Sequence, residues 1–151
     1  MKNTSPANNP EAAVHNEREL SASPQEIFAA FEQPDRFARW WGPKDFTNTF
    51  EKFEFTVGGH WVFVMHGPDG ANYPSENIFR EIQPHAKMVI EHIDKPWYRL
   101  TVTLTARGDQ THLAWHQEFE SAEFAAKMRP ICEPANEQNL DRLEAILASE
   151  C

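Results

Sequence analysis

Histidine and carboxylate side chains are the groups in this sequence that could transfer protons. An imidazole or carboxylate with a shifted pKa in a dry pocket can act as a general acid or base. The chain has seven histidines, and the candidates for such chemistry are Glu76, Glu81, His92 and His116. The alternative for each of them is a solvent-facing or turn-bracing role. No nucleophile elbow and no phosphate-binding glycine loop is recognisable, so no catalytic residue is assigned.

The histidine spacing argues against a metal site. His112 and His116 are four residues apart, which in a strand separates them by about 13 Å. His60 and His66 are farther apart still. Neither an HExxH motif nor a paired Cys/His spacing occurs. We therefore expect no structural metal and no cofactor.

Bulky apolar side chains are abundant, with 11 Phe and 5 Trp, enough to line a cavity as well as fill a core. Trp61, Phe63 and Met65 alternate along one segment and would share a strand face. The apolar side chains expected around one cavity are Trp41, Trp61, Phe63, Met65, Phe79, Trp115, Phe124 and Met128. The polar candidates for orienting a ligand there are Glu76, His92 and His116. Core packing alone would also explain the apolar set.

The stretch RFARWWGPKDF at residues 36–46 places two tryptophans next to a helix stop. Neighbouring helical residues point about 100° apart, so Trp40 and Trp41 need different surroundings. One ring is expected to fill the core and the other to lie at a cavity mouth. The alternative is that both are structural, because burial of such a ring is itself worth several kcal/mol.

The overall composition excludes several classes of protein. Net charge is −9, with no basic run, so we expect no nucleic-acid partner. The two cysteines, Cys132 and Cys151, do not form a disulfide framework. No apolar stretch approaches the ~20 residues of a membrane span, and the N-terminus lacks a signal-peptide core. We expect a disordered tail at residues 1–12, a single domain at residues 13–151 and a cytoplasmic location.

Hydrophobic spacing predicts the order strand, helix, helix, six strands and helix. Ser23 is a credible N-cap, with Pro24 at the first helical position and Glu26 completing a capping box. The second helix is expected to start at Pro34 and to end at Gly42.

Beyond Gly42, apolar and polar residues alternate in six segments separated by turn residues, which predicts an antiparallel sheet. Helical spacing returns near the C-terminus, where Pro130 and Pro134 are expected to interrupt the helix. A sheet of this size twists and curls, and a long helix with one apolar stripe should lie across its concave face. The space beside the helix is the predicted pocket.

Several stretches resemble the family named for its similarity to the activator of the heat-shock protein 90 ATPase. They include SPQEIFAAFEQPDRFARWWGP, FEFTVGGHWVFVMHGPDG, THLAWHQEF and NLDRLEAIL. The resemblance covers about residues 14 to 149 and places the chain in the START-like, helix-grip superfamily (SRPBCC). It implies an α+β fold with β-α-α-β6-α topology, in which a curved antiparallel sheet wraps around a long C-terminal helix.

The resemblance implies less about function, since one fold hosts many activities. The leading expectation is that a small hydrophobic or amphipathic molecule binds in the cavity between sheet and helix. One alternative is an enzyme that uses the same cavity, such as a hydrolase, cyclase or isomerase. Another is a co-chaperone-like module with a protein partner, which would act through an exposed patch.

Overall fold

The computed structural model describes residues 10–149, which form three helices and a single seven-stranded sheet. The strands are β1 (Ala13–Leu20), β2 (Thr47–Phe53), β3 (His60–His66), β4 (Asn72–Gln83), β5 (Lys87–His92), β6 (Tyr98–Arg107) and β7 (Gln110–Phe119). The helices are α1 (Pro24–Glu32), α2 (Pro34–Trp40) and α3 (Ala122–Ser149). This order confirms the predicted β-α-α-β6-α topology.

The expected N-terminal tail lies largely outside the described residues. Its last three residues, Pro10–Ala12, form one 3-10 turn that leads into β1. Ala12 is buried there. Residues 1–9 and 150–151 lie outside the described part of the chain.

The strands pair antiparallel in the order β1-β7-β6-β5-β4-β3-β2. The first strand, β1, is therefore an edge strand that pairs with the last strand, β7. Irregularities between Phe50 and Lys52, and between Phe79 and Glu81, interrupt the register of β2 and β4. Such bulges bend a strand and increase its twist. The sheet curves, and α3 lies across its concave face, which is the helix-grip fold.

Strand alternation gives the sheet one apolar and one polar face. Leu100, Val102 and Leu104 of β6 are buried, whereas the residues between them are Thr101 and Thr103. Because successive side chains point to opposite faces, the apolar set faces the helices and the threonines face outward. On each strand, only every second residue faces the concave side, and this alternation decides which of the predicted residues can reach it.

The first helix begins as its sequence predicts. The Ser23 hydroxyl accepts a hydrogen bond from the Glu26 N–H at 3.1 Å, and the Glu26 carboxylate accepts one from the Ser23 N–H at 2.8 Å. This reciprocal capping satisfies two backbone donors that the first turn leaves without partners. The helix then buries Ile27 and Phe31 against the core.

The C-terminal helix is continuous, so the expected interruption at Pro130 and Pro134 was wrong. A proline inside a helix removes one backbone hydrogen bond and costs roughly 3 kcal/mol. Tertiary contacts of the same helix offset that cost: Arg129 donates to the Ala13 carbonyl at 2.9 Å, and Asn16 donates to the Glu133 carbonyl at 3.2 Å. Within residues 10–149, neither this helix nor any other combines the length and apolar character needed to cross a bilayer.

Removal of the Ser23 cap tests the local account of α1. We expect Ser23→Ala to lower the free energy of unfolding by about 1 kcal/mol in chemical denaturation, because the Glu26 N–H loses its acceptor. Ser23→Asp, which keeps an acceptor oxygen, should retain most of the wild-type stability. Equal stability of the alanine variant and the wild type would contradict the assignment.

Candidate functional site

A cavity of about 620 Å³ lies between the concave face of the sheet and α3. Its sheet side includes Phe63 and Trp115, and its helix side includes Met128 and Ala135. No aspartate or glutamate of the described chain is among its lining residues. The cavity is thus mainly apolar, with several uncharged polar groups and one charged side chain, that of Lys95.

The cavity opens to solvent at a rim of partly exposed side chains. Tyr73 is 47% exposed and Ile131 is 62% exposed, and both line the cavity. Lys95 is also exposed and lies in the same lining. A molecule could therefore enter past these side chains.

The two adjacent tryptophans do occupy different surroundings. Trp40 is fully buried, and its indole N–H donates to the Ala30 carbonyl at 3.0 Å, so this ring belongs to the core. Trp41 is the C-cap of α2, where the backbone turns extended, and its ring lines the cavity 5.9 Å from that of Trp115. The Trp41 indole nitrogen is buried without a hydrogen-bond partner among the described residues.

Polar residues of α3 fasten the chain where α2 ends. The Asn139 amide donates to the Trp40 carbonyl at 3.1 Å and accepts from the Gly42 N–H at 3.1 Å. The Arg142 guanidinium donates to four backbone carbonyls, those of Arg39, Trp41, Gly42 and Pro43, at 2.9–3.0 Å. A helix end leaves carbonyl groups without intrahelical donors, and these two side chains supply the missing donors.

Gly42 is required at this junction by its backbone and by its neighbours. Its φ is +99°, a region that side-chain-bearing residues rarely adopt. A Cβ there would also lie 2.8 Å from the Met65 methyl group and 3.4 Å from Phe46 Cβ. The turn thereby brings the Trp41 ring, Met65 and Phe46 together at one end of the cavity.

His92 is a buried titratable group of the cavity wall. Its Nδ1 lies 2.8 Å from the Asn77 Oδ1, and its ring stacks on Tyr98 with centroids 4.8 Å apart and planes 11° from parallel. Burial lowers the pKa of His92, although Asp94 opposes this. The imidazole is therefore held in its neutral form near pH 7.

A second polar group of the wall belongs to a network that ties α3 to the sheet. Asn136 donates to the Gln117 side chain at 3.1 Å and to the Asn16 side chain at 3.1 Å. Asn16 in turn donates to the Glu137 carboxylate at 2.7 Å. Linked hydrogen bonds of this kind fix the position of one element on another.

Six of the residues expected around the cavity line it: Trp41, Phe63, Met65, His92, Trp115 and Met128. Trp61 and Phe79 lie outside the lining, and both are fully buried in the core instead. The reason is that helix and loop aromatics cover them: Phe37 packs on Trp61 at 4.6 Å and Phe55 packs on Phe79 at 5.0 Å.

Glu76 and His116 point to the convex face, opposite the cavity. Strand parity places Glu76 between the inward Ser75 and Asn77, and its carboxylate lies 2.6 Å from His60 Nδ1. His116 alternates with the inward Trp115 and its Nδ1 lies 3.2 Å from that of His15. Neither group can therefore orient a ligand in the cavity.

Phe124 and Glu81 also lie away from the cavity. Phe124 packs on Phe119 at 5.6 Å in a small separate cluster with Val14 and Ala125. Glu81 lies on the convex face, 3.5 Å from Lys87 Nζ. Of the four candidates for acid–base chemistry, only His92 faces the hollow.

Of the histidines not yet described, His66 lies within hydrogen-bond distance of Thr49 and Asn72, and His112 pairs with carboxylates. His112 lies between Glu17 and Glu19, at 2.8 Å and 2.7 Å. Across residues 10–149 no three His, Cys, Asp or Glu side chains are grouped so that they could hold a metal ion.

Asn77, Asn139 and Arg142 are site-forming residues that the sequence reasoning missed. Asn139 and Arg142 are three positions apart on α3, beside the buried Leu140 and Leu143. The signal available in the sequence was that Asn139 and Arg142 adjoin the apolar stripe of α3, and residues three positions apart share a helix face. Asn77 carried a weaker signal, as a polar residue at an inward position of β4.

Comparison with known proteins identifies relatives of the chain. The family model described as "Activator of Hsp90 ATPase homolog 1-like protein" matches residues 21–148. The solution structure of a protein from Arthrobacter aurescens is 27% identical, with a TM-score of 0.85, and the match covers 92% of this chain and 87% of that chain. None of the curated proteins matches the sequence.

More distant solved structures share the fold alone. A crystal structure of a protein from Nitrosomonas europaea has a TM-score of 0.87 at 16% identity, covering 94% of this chain and 97% of that one. The AHSA1 protein from Silicibacter pomeroyi has a TM-score of 0.77 at 21% identity, covering 93% and 100%.

Arg142→Met tests the fastening of the α2 end. Removing the donor to several partly buried carbonyls should lower the free energy of unfolding by about 1.5–3 kcal/mol in urea denaturation. Lys127→Met, on an exposed position of the same helix, is the matched control and should change stability by less than about 0.5 kcal/mol. A similar small effect for both variants would contradict the role given to Arg142.

The lowered pKa of His92 predicts a pH dependence of stability. The folded state binds this proton more weakly than the unfolded state, whose histidine pKa is about 6.5. The stabilisation is therefore present above about pH 6.5 and is lost as the pH falls through the folded pKa. An NMR titration of the His92 ring should give a midpoint below 6.5, and His92→Phe should flatten the stability profile in this range. A midpoint above 6.5 would refute the assignment.

Proposed function

The chain belongs to the family of Activator of Hsp90 ATPase homolog 1-like proteins, and from this premise we propose that it binds a neutral hydrophobic or amphipathic small molecule in the cavity beneath α3. The observation that carries the proposal is the cavity itself. Its volume of about 620 Å³ falls within the range of small-molecule sites, roughly 300–1,000 Å³. Aromatic and aliphatic side chains form most of its wall, as is typical of such sites.

The uncharged character of the wall supports a neutral ligand. The described lining holds no acidic side chain that could balance a cation, and its one lysine, Lys95, is exposed at the rim. Moving an unpaired charge into an apolar site is costly. A neutral molecule would avoid that cost while it buries its apolar surface against Trp41, Phe63 and Trp115.

The positions of the walls support binding without a large rearrangement. Arg142 and Asn139 fasten the segment that carries Trp41, and the Asn136 network fastens α3 to the sheet. A preorganised site loses less conformational entropy when a ligand enters. An enzyme in the same cavity is less well supported, because Glu76, Glu81 and His116 face the other side of the sheet.

A protein-interaction module is a second candidate, and the exposed rim favours it. Tyr73 and Ile131 present apolar surface to solvent, and the family description refers to activation of the Hsp90 ATPase. Such a role predicts that Ile131→Ser weakens binding to an Hsp90-class chaperone, whereas a substitution that fills the cavity leaves that binding unchanged. Small-molecule binding predicts instead that a substitution that fills the cavity abolishes ligand binding.

Filling the cavity from α3 tests the proposed function directly. We expect Ala135→Trp to abolish the binding of uncharged naphthalene probes, measured by fluorescence and by NMR titration. Ala126→Trp, the same change at an exposed position of the helix, is the control and should bind like the wild type. Undiminished probe binding by a folded Ala135→Trp variant would contradict binding in this cavity.

A further inference from the structure

His92 has one ring nitrogen that the described protein does not use. Its Nδ1 is bonded to Asn77, which is not among the cavity-lining residues, whereas the His92 ring is. No described residue hydrogen-bonds the other ring nitrogen, Nε2. His92 is only 8% exposed, and it is one of the residues that line the cavity.

The partner of Nδ1 decides the chemistry of Nε2. The Asn77 amide is oriented with Oδ1 2.8 Å from the His92 Nδ1, and an amide oxygen can only accept, so in this orientation Nδ1 carries the ring proton. In the neutral ring the second nitrogen then holds a lone pair. Burial lowers the pKa of His92 and so favours this neutral form. The wall consequently presents a hydrogen-bond acceptor.

Flat aromatic surfaces line the same cavity as His92. Tyr98 stacks on one face of the His92 ring at 4.8 Å. Trp41 and Trp115 line the same cavity with centroids 5.9 Å apart and planes 32° from parallel. Aromatic rings pack favourably against such surfaces in offset or edge-on arrangements.

We propose that His92 Nε2 accepts a hydrogen bond from a hydroxyl group of the ligand, and that the ligand class is a neutral hydroxylated aromatic molecule. This inference rests on the proposed function and specifies its ligand. A carboxylate in place of the hydroxyl has no proton to donate, so its lone pairs would face the lone pair of His92. The described lining also offers no buried cation to bind the carboxylate. His92 is thus a specificity-determining residue of the cavity.

A set of matched probes tests the hydroxyl requirement. 2-Naphthol, 2-methylnaphthalene and 2-naphthoate share one ring system and differ in a single substituent. Titrated into the folded protein and followed by NMR, 2-naphthol should bind about five- to tenfold more tightly than 2-methylnaphthalene. 2-Naphthoate should bind more weakly than both.

Substitution of His92 should remove the preference and leave the cavity. His92→Phe keeps the stack on Tyr98 and should bind 2-naphthol and 2-methylnaphthalene equally. His60→Phe, the same change at a histidine bonded to Glu76 on the convex face, should keep the wild-type preference. If His92→Phe is too unstable because Asn77 loses its partner, the double variant His92→Phe/Asn77→Leu removes both polar groups together.

The ring protonation of the ligand-free protein gives an independent readout. The nitrogen-15 shifts of His92 should report a protonated Nδ1 and an unprotonated Nε2. The opposite tautomer would overturn the inference. So would equal affinity of the wild type for 2-naphthol and 2-methylnaphthalene, an outcome that leaves the proposed function standing. Failure of both probes to bind would contradict the proposed function, and this inference with it.

Discussion

The structure depends on how the carbonyl groups at the end of α2 are satisfied. This helix is seven residues long, and Gly42 turns the chain out of it. Its terminal carbonyls need donors that the helix cannot supply. Asn139 and Arg142 of α3 provide them, almost a hundred residues later in the chain. Burial removes water from the Arg142 guanidinium and lowers its pKa. Each carbonyl partner therefore stabilises the folded state, because it replaces a lost hydrogen bond to water.

This fastening also explains why a cavity remains. The C-terminal helix is tied at the α2 end by Asn139 and Arg142, and to β1 by Asn16 and Arg18. Between these ties it spans the concave face of the sheet without packing closely on the middle strands. The Trp41 ring forms one end of the gap, and His92 contributes a polar group to its wall. Core stability and an open hollow are thus compatible in one small domain.

Local signals predicted most of the fold, because they act within a few residues. The Ser23 cap and the alternation of β6 are examples, and the resemblance added the helix-grip arrangement. The unbroken α3 was not predictable in this way, since distant contacts of Arg129 and Asn16 offset the proline cost. The site was predicted in part: ring-rich positions such as Phe63 and Trp115 line it. Glu76 and His116 do not line it, because each directly follows an inward-facing residue and successive side chains of a strand point to opposite faces.

The most direct test of the central claim, a preformed apolar hollow between sheet and helix, is a crystal structure determined under xenon pressure. Apolar cavities in proteins bind xenon. The account predicts a xenon site between Trp41, Phe63 and Trp115, with the hydrogen bonds of Arg142 in place. Absence of xenon there, with the Trp41 ring filling the space, would contradict it.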